Sequence, residues 1–113
     1  MSGIYGIYID DELIYIGSTT RSFEVRFKEH RGRMLDAGWT GQPLLYGRLR
    51  EAFKQGRSLT LVPLVEIENL KRKGKGISKR DVHIMELALI SWLQPPCNVE
   101  GVTEPYFIPY KEN

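Results

Sequence analysis

The chain has 113 residues, 42% of them hydrophobic, a formal net charge of +2 and one cysteine. That length fits one domain with its own core, and the lone Cys97 excludes an intramolecular disulfide or a multi-cysteine zinc knuckle and fits a reducing compartment. No apolar run approaches the ~20 residues that span a bilayer, and no leader-like pattern opens the chain, so the expectation is a soluble, cytoplasmic protein with no membrane partner.

Residues 3–9 and 12–17 are rich in Ile and Tyr and flank Asp10-Asp11, which predicts a β-hairpin. Ser22 as N-cap, Glu24 in the first turn and Gly38 as a stop predict a helix over 22–37. Gly32 weakens it by about 1 kcal/mol relative to alanine. Pro43 opens a second helix, with Leu45, Leu49 and Phe53 as its apolar stripe and Gly56 at its end. Residues 58–67, SLTLVPLVEI, read as a third strand, which Pro63 places at a sheet edge or a bulge. Residues 71–80, KRKGKGISKR, form a basic loop. Ser78 and Asp81 open a last helix over 79–94, which stops before Pro95-Pro96. The order ββααβα predicts an α+β fold: a small three-stranded antiparallel sheet flanked by about three helices.

Three groups of residues have chemical potential. In the last helix, IMELALISWL, only Glu86 and Ser91 are polar, which predicts a helix buried all round. A carboxylate there needs an exposed stripe, an arginine partner or a metal ion. Trp92 is expected in the core and Trp39 as a loop anchor, with base stacking as the alternative for both. In the first helix Arg26 and His30 share a face at i, i+4, and Arg33 extends it. Cleaving a phosphodiester needs an arginine to grip the phosphate and a group to move a proton, although such pairs also occur on solvated faces.

The hairpin tyrosines are the third group. Side chains alternate along a strand, so Tyr5 and Tyr8 point to opposite faces. A two-residue loop at Asp10-Asp11 pairs Gly6 with Tyr15 and puts Tyr8 on the face of Tyr15. A three-residue loop at 10–12 pairs Ile7 with Tyr15 and puts Tyr5 there instead. Both remain open from periodicity, and packing alone can account for tyrosine in a strand.

The charge is uneven: residues 1–20 hold three acids and no Lys or Arg, residues 21–80 balance at +9, and residues 81–113 at −4. A basic middle segment suits a polyanion partner, while solvated helix faces are the plainer account.

Taken in order, Gly3-Ile4-Tyr5, Tyr15-Ile16-Gly17, Arg26, His30, Glu86 and Asn98 resemble the signature of the GIY-YIG nuclease family over residues 2–98, as a small stand-alone member. Nine residues separate Tyr5 from Tyr15, near the family's usual spacer, and six separate Tyr8 from Tyr15, which is too short. The resemblance therefore implies that Tyr5 is the motif residue and Tyr8 strand filler, with an odd-length loop or a bulge at Asp10–Glu12. It implies a nuclease domain over 1–98 with a tail, 99–113, packed on or extending it, and a prokaryotic or viral origin. The implied activity is divalent-metal-dependent DNA cleavage. Glu86 would hold one Mg²⁺ or Mn²⁺, and Arg26 would neutralise phosphate charge. Tyr5 would orient or deprotonate the attacking water beside Tyr15, with His30 relaying the proton. Gly17 and Asn98 would be structural or substrate-positioning, Asn98 by ordering the end of the last helix. Expected DNA contacts are Arg33, Arg48, Lys71, Arg72, Lys73 and Lys75, then Arg50, Lys54 and Arg57. A homodimer or a partner protein would supply specificity. The alternative is a catalytically silent nucleic-acid-binding module on the same fold.

Overall fold

The computed structural model describes residues 2–67 and 79–101. The elements are β1 (Ser2–Ile9), β2 (Glu12–Thr19), α1 (Phe23–Leu35), α2 (Pro43–Lys54), β3 (Leu59–Ile67) and α3 (Lys79–Leu93), followed by a 3₁₀ helix, Pro96–Gly101. β1 is the central strand of an antiparallel sheet ordered β2-β1-β3, which is the expected α+β architecture. Alternation along β1 and β2 feeds two cores. Tyr5, Ile7, Ile9, Ile14 and Tyr15 pack with Met34 of α1 and with Leu45, Tyr46, Leu49 and Ala52 of α2. Ile4 and Ile16 pack on the other face with Ile67 and with Val82 and Ile90 of α3.

Two bulges tune the central strand. The hairpin turn is the two-residue Asp10-Asp11, with Ile9 opposite Glu12 and Tyr8 opposite Leu13. The register then shifts so that Ile7 faces Tyr15 and Tyr5 faces Gly17, leaving Ile14 as the extra residue. The irregularity therefore falls at Ile14, not at 10–12 as expected, because the bulge lets two successive large side chains, Ile14 and Tyr15, enter one core. Its consequence matches the expectation: Tyr5 and Tyr15 share a face, and Tyr8 is on the other. The turn is fastened from outside the hairpin. Asp10, at φ +52°, donates its N–H to Ser58 O at 2.7 Å and accepts from Ser58 N at 3.0 Å and Arg57 Nε at 2.8 Å.

The second bulge is in β3, where Leu64 is extra between Val65, opposite Ile4, and Pro63, opposite Tyr5. β3 is an edge strand, so the missing N–H of Pro63 is accommodated as anticipated. Here Val65 crowds β1: a Cβ on Gly3, whose φ is +139°, would stand 2.0 Å from Val65 O. Only glycine fits there.

Three helix expectations are corrected. α1 ends at Leu35, before Gly38, because Asp36 terminates it and accepts from Gly38 N at 2.9 Å. The buried face of α2 is Leu45, Tyr46, Leu49 and Ala52, and Phe53 is 53% exposed. At about 100° per residue Phe53 falls between Leu49 and Tyr46 on the same face, but it stands in the last turn of α2, where it borders an open pocket with Phe27, Leu49 and Leu59. α3 is apolar all round yet, among the described residues, packs on one side. Ile84 is 56% exposed and Trp92 78% exposed, so Trp92 is not a core residue. No helix among the described residues is long and apolar enough to cross a membrane.

Candidate active site

The site forms where α1 crosses the Tyr5–Tyr15 face of the sheet. Ser22 Oγ accepts from Val25 N at 3.1 Å, which fixes the start of α1 and with it the rotational phase of Arg26 and His30. Both side chains then meet Tyr5. Tyr5 Oη lies 2.6 Å from His30 Nε2, and Arg26 Nε donates to it at 3.2 Å. The Tyr15 ring flanks the pair, with centroids 6.4 Å from Tyr5 and 6.0 Å from His30. Tyr5 is fully buried and His30 is 3% exposed. Arg26, with a side chain 22% exposed, is the outermost of the three, and its Nη1 reaches Glu29 Oε1 at 3.1 Å. Glu29 also pairs with Arg21.

Glycine at position 17 follows from this packing. A Cβ there would lie 2.5 Å from Tyr5 Oη and 2.9 Å from Tyr15 Cε2. Neither phenol could keep its place. Asn98 acts on the same segment from outside. Its Oδ1 accepts from Ile16 N at 2.7 Å and its Nδ2 donates to Ile16 O at 2.8 Å. β2 is an edge strand, and Asn98 imitates the missing neighbouring strand at the residue between Tyr15 and Gly17. Its task is therefore to hold β2, not to order the end of the last helix, since it lies in the 3₁₀ helix beyond α3.

Glu86 approaches from the other face of the sheet. Ser18 Oγ donates to its Oε1 at 2.6 Å, which anchors a half-buried carboxylate beside β2. Among the described residues this is its hydrogen-bond partner, so Oε2 is left open on this side. Its charge is felt at Tyr15, whose phenol is pushed up first by burial and in part by Glu86.

Electrostatics fix the resting protonation. Burial, then the charges of Arg26 and Arg33, pull His30 down to about 4, so its imidazole is neutral at neutral pH. Burial pushes the Tyr5 phenol well above its ordinary value, against the opposing pull of Arg26. The hydrogen bond from Arg26 holds Glu29 below the usual carboxylate range.

Three members of the cluster were missed in the sequence. Tyr46 of α2 is fully buried and its Oη lies 2.8 Å from His30 Nδ1. Gln42 Nε2 donates to Tyr15 Oη at 3.4 Å. Glu29 holds Arg26. Tyr46 directly follows Leu45 on the apolar side of α2, and Glu29 stands three residues after Arg26, so helical spacing could have drawn attention to both. Gln42, an N-cap in the left-handed region at φ +47°, has no such pattern.

The expected DNA contacts divide. Arg33 turns inward, donating from Nη1 to Tyr46 Oη at 3.4 Å with its guanidinium 4.7 Å from the Trp39 ring centre. Trp39 also packs edge-on against Tyr46, so it anchors its loop as expected. Arg48 pairs with Glu12 at 3.4 Å and Arg57 with Asp10. Arg50 donates to the carbonyls of Met34, Arg33 and Asp36 and so caps α1. Lys54 is exposed. Lys71, Arg72, Lys73 and Lys75 lie outside the described residues. An apolar pocket of about 330 Å³ behind His30 shares only that residue with the polar cluster.

Compared with protein-family models, curated proteins and solved structures, the chain matches none.

Proposed function

We propose that the chain is a divalent-metal-dependent DNA endonuclease of the GIY-YIG type. The observation that carries this reading is the Tyr5–His30–Arg26 cluster beside Tyr15: two phenols, a neutral imidazole and a guanidinium brought together from the hairpin and from α1. A structural core has no use for so many polar groups on one face. A site that binds a phosphodiester and moves a proton does.

Arg26 is the group placed to meet a phosphate. It is part-exposed and already paired with a carboxylate, so an incoming phosphodiester competes with Glu29 for the same guanidinium. Tyr5 is a hydrogen-bond donor at rest. To activate water it must give up its proton as charge develops, and His30 Nε2 is the group within reach. Tyr15 flanks the position where water and phosphate would meet.

The residues present fit one divalent ion. Glu86 is a half-buried carboxylate oriented through one oxygen by Ser18, and a single carboxylate is enough for an ion that keeps water and phosphate oxygens as its other ligands. Such an ion, when bound, supplies Lewis-acid stabilisation of charge on the phosphate and the leaving oxygen.

The test is cleavage of a panel of plasmid duplex, flap, junction, single strand and RNA, with Mg²⁺ and with EDTA. DNA cut only with the metal, and lost in Glu86→Ala while DNA binding persists, is the expected result. Wild-type binding without cleavage would replace this reading with the silent binding module.

A further inference from the structure

His30 stands between two phenols. Nε2 faces Tyr5 Oη at 2.6 Å and Nδ1 faces Tyr46 Oη at 2.8 Å. Each phenol oxygen also accepts an arginine N–H, from Arg26 and Arg33 respectively. A neutral imidazole has one N–H and one lone pair. The row therefore brings three exchangeable hydrogens to two contacts, and each contact takes one. One phenolic hydrogen must point out of the row: that of Tyr46 when Nδ1 is protonated, that of Tyr5 when Nε2 is. O–H donors make the shorter contacts and N–H donors the longer. The shorter one at Tyr5 fits O–H donating to Nε2, and the longer one at Tyr46 fits Nδ1–H donating to oxygen.

We propose that Tyr46 is a positioning residue that sets the tautomer of His30 and forms the inner end of a proton path beginning at Tyr5. When Tyr5 ionises, the count comes out even. Nε2–H donates to the phenolate, Tyr46 O–H donates to Nδ1, and no hydrogen is left over. The row is thus complementary to the ionised form of Tyr5. In the transfer, the Tyr5 O–H bond breaks as Nε2–H forms, and Nδ1–H breaks as a new Tyr46 O–H forms. The original hydrogen of Tyr46 passes to a water admitted between Arg33 and Trp39, the side chains that cover it. One proton leaves Tyr5 and one reaches water. His30 changes tautomer and stays uncharged, which suits a site where burial and two arginines oppose an imidazolium. The tautomer follows from the row alone; use of the path in catalysis rests on the nuclease reading.

The test reads which ring nitrogen of His30 carries hydrogen, by ¹⁵N NMR of the full chain, which has two histidines. Nδ1–H is expected in the wild type and in Tyr5→Phe, where Tyr46 still accepts. In Tyr46→Phe the acceptor is gone, and the hydrogen moves to Nε2 and donates to Tyr5. Nε2–H in the wild type, or an unchanged tautomer in Tyr46→Phe, overturns the assignment. Wild type and Tyr5→Phe decide it even if Tyr46→Phe does not fold. The path predicts a single-turnover cleavage rate lowered about a hundredfold in Tyr46→Phe with DNA affinity unchanged. A shifted tautomer with an unchanged rate overturns the path. A wild type that cleaves no DNA ends the nuclease reading and leaves the tautomer result standing.

Discussion

Gly17 lies under both motif tyrosines, with no room for the first carbon of any side chain. Gly17→Ala should destabilise the fold by about 1–3 kcal/mol through overpacking, read as a lower urea midpoint. It should also abolish cleavage, because Tyr5 cannot keep both His30 and Arg26. His30 leaves a mark on acid stability. The unfolded chain takes up this proton near 6.5 and the folded chain near 4, so between those values the unfolded state binds more protons. Stability is complete above about 6.5 and falls as the pH drops towards 4, by on the order of 3 kcal/mol. Replacing His30 with Asn should flatten that limb of the stability profile; an identical slope would mean that His30 titrates normally. Tyr5 and Tyr8 separate by the same residue-scale logic. Tyr5→Phe removes a hydroxyl bonded to two partners, while Tyr8 sits half-buried on the opposite face. Cleavage should drop severely in Tyr5→Phe and hardly change in Tyr8→Phe.

At the scale of elements, β2 and α1 are each completed by a side chain from elsewhere. Asn98 supplies both hydrogen bonds that the edge of β2 lacks at Ile16. Asn98→Ala leaves a buried N–H and C=O unpaired, at about 1–3 kcal/mol each, and should speed amide exchange at Ile16 well beyond that of the central strand. Protected exchange at Ile16 in the variant would mean that another group takes over. These completions explain what the sequence carried and what it did not. Element order and the faces of α1 were readable because capping and helical spacing are local. The bulge at Ile14 was not, since it depends on β1 and β2 jointly having room for two large side chains in one core. α3 misled for a related reason: an apolar string reports what a helix can bury, not how many layers surround it. Asn98 was readable as a motif member, but its partner lies 82 positions away in the chain.

Across the whole molecule, the basic middle of the sequence is less available to a polyanion than its charge suggests. Arg26, Lys28, Arg48 and Arg57 are paired with carboxylates. Arg33 and Arg50 are spent on Tyr46, Trp39 and the carbonyls of α1. Arg31 and Lys54 are exposed with no ion pair among the described residues. Exposed pairs are worth little, so Arg48 and Arg57 can still be recruited by a phosphate, but each must first give up a carboxylate. Lys71, Arg72, Lys73 and Lys75, outside the described residues, are the densest remaining source of positive charge in the sequence. Each phosphate neutralised contributes about −0.9 to the slope of log affinity against log salt. Neutralising these four to Gln should therefore flatten the slope for duplex DNA by up to about 3–4, whereas Arg48→Gln should change it by less than about one. Titrations from 50 to 200 mM salt are enough to separate the two. Equal effects would place the contact surface on the helices, and an unchanged slope in the fourfold variant would remove residues 71–75 from the DNA contacts.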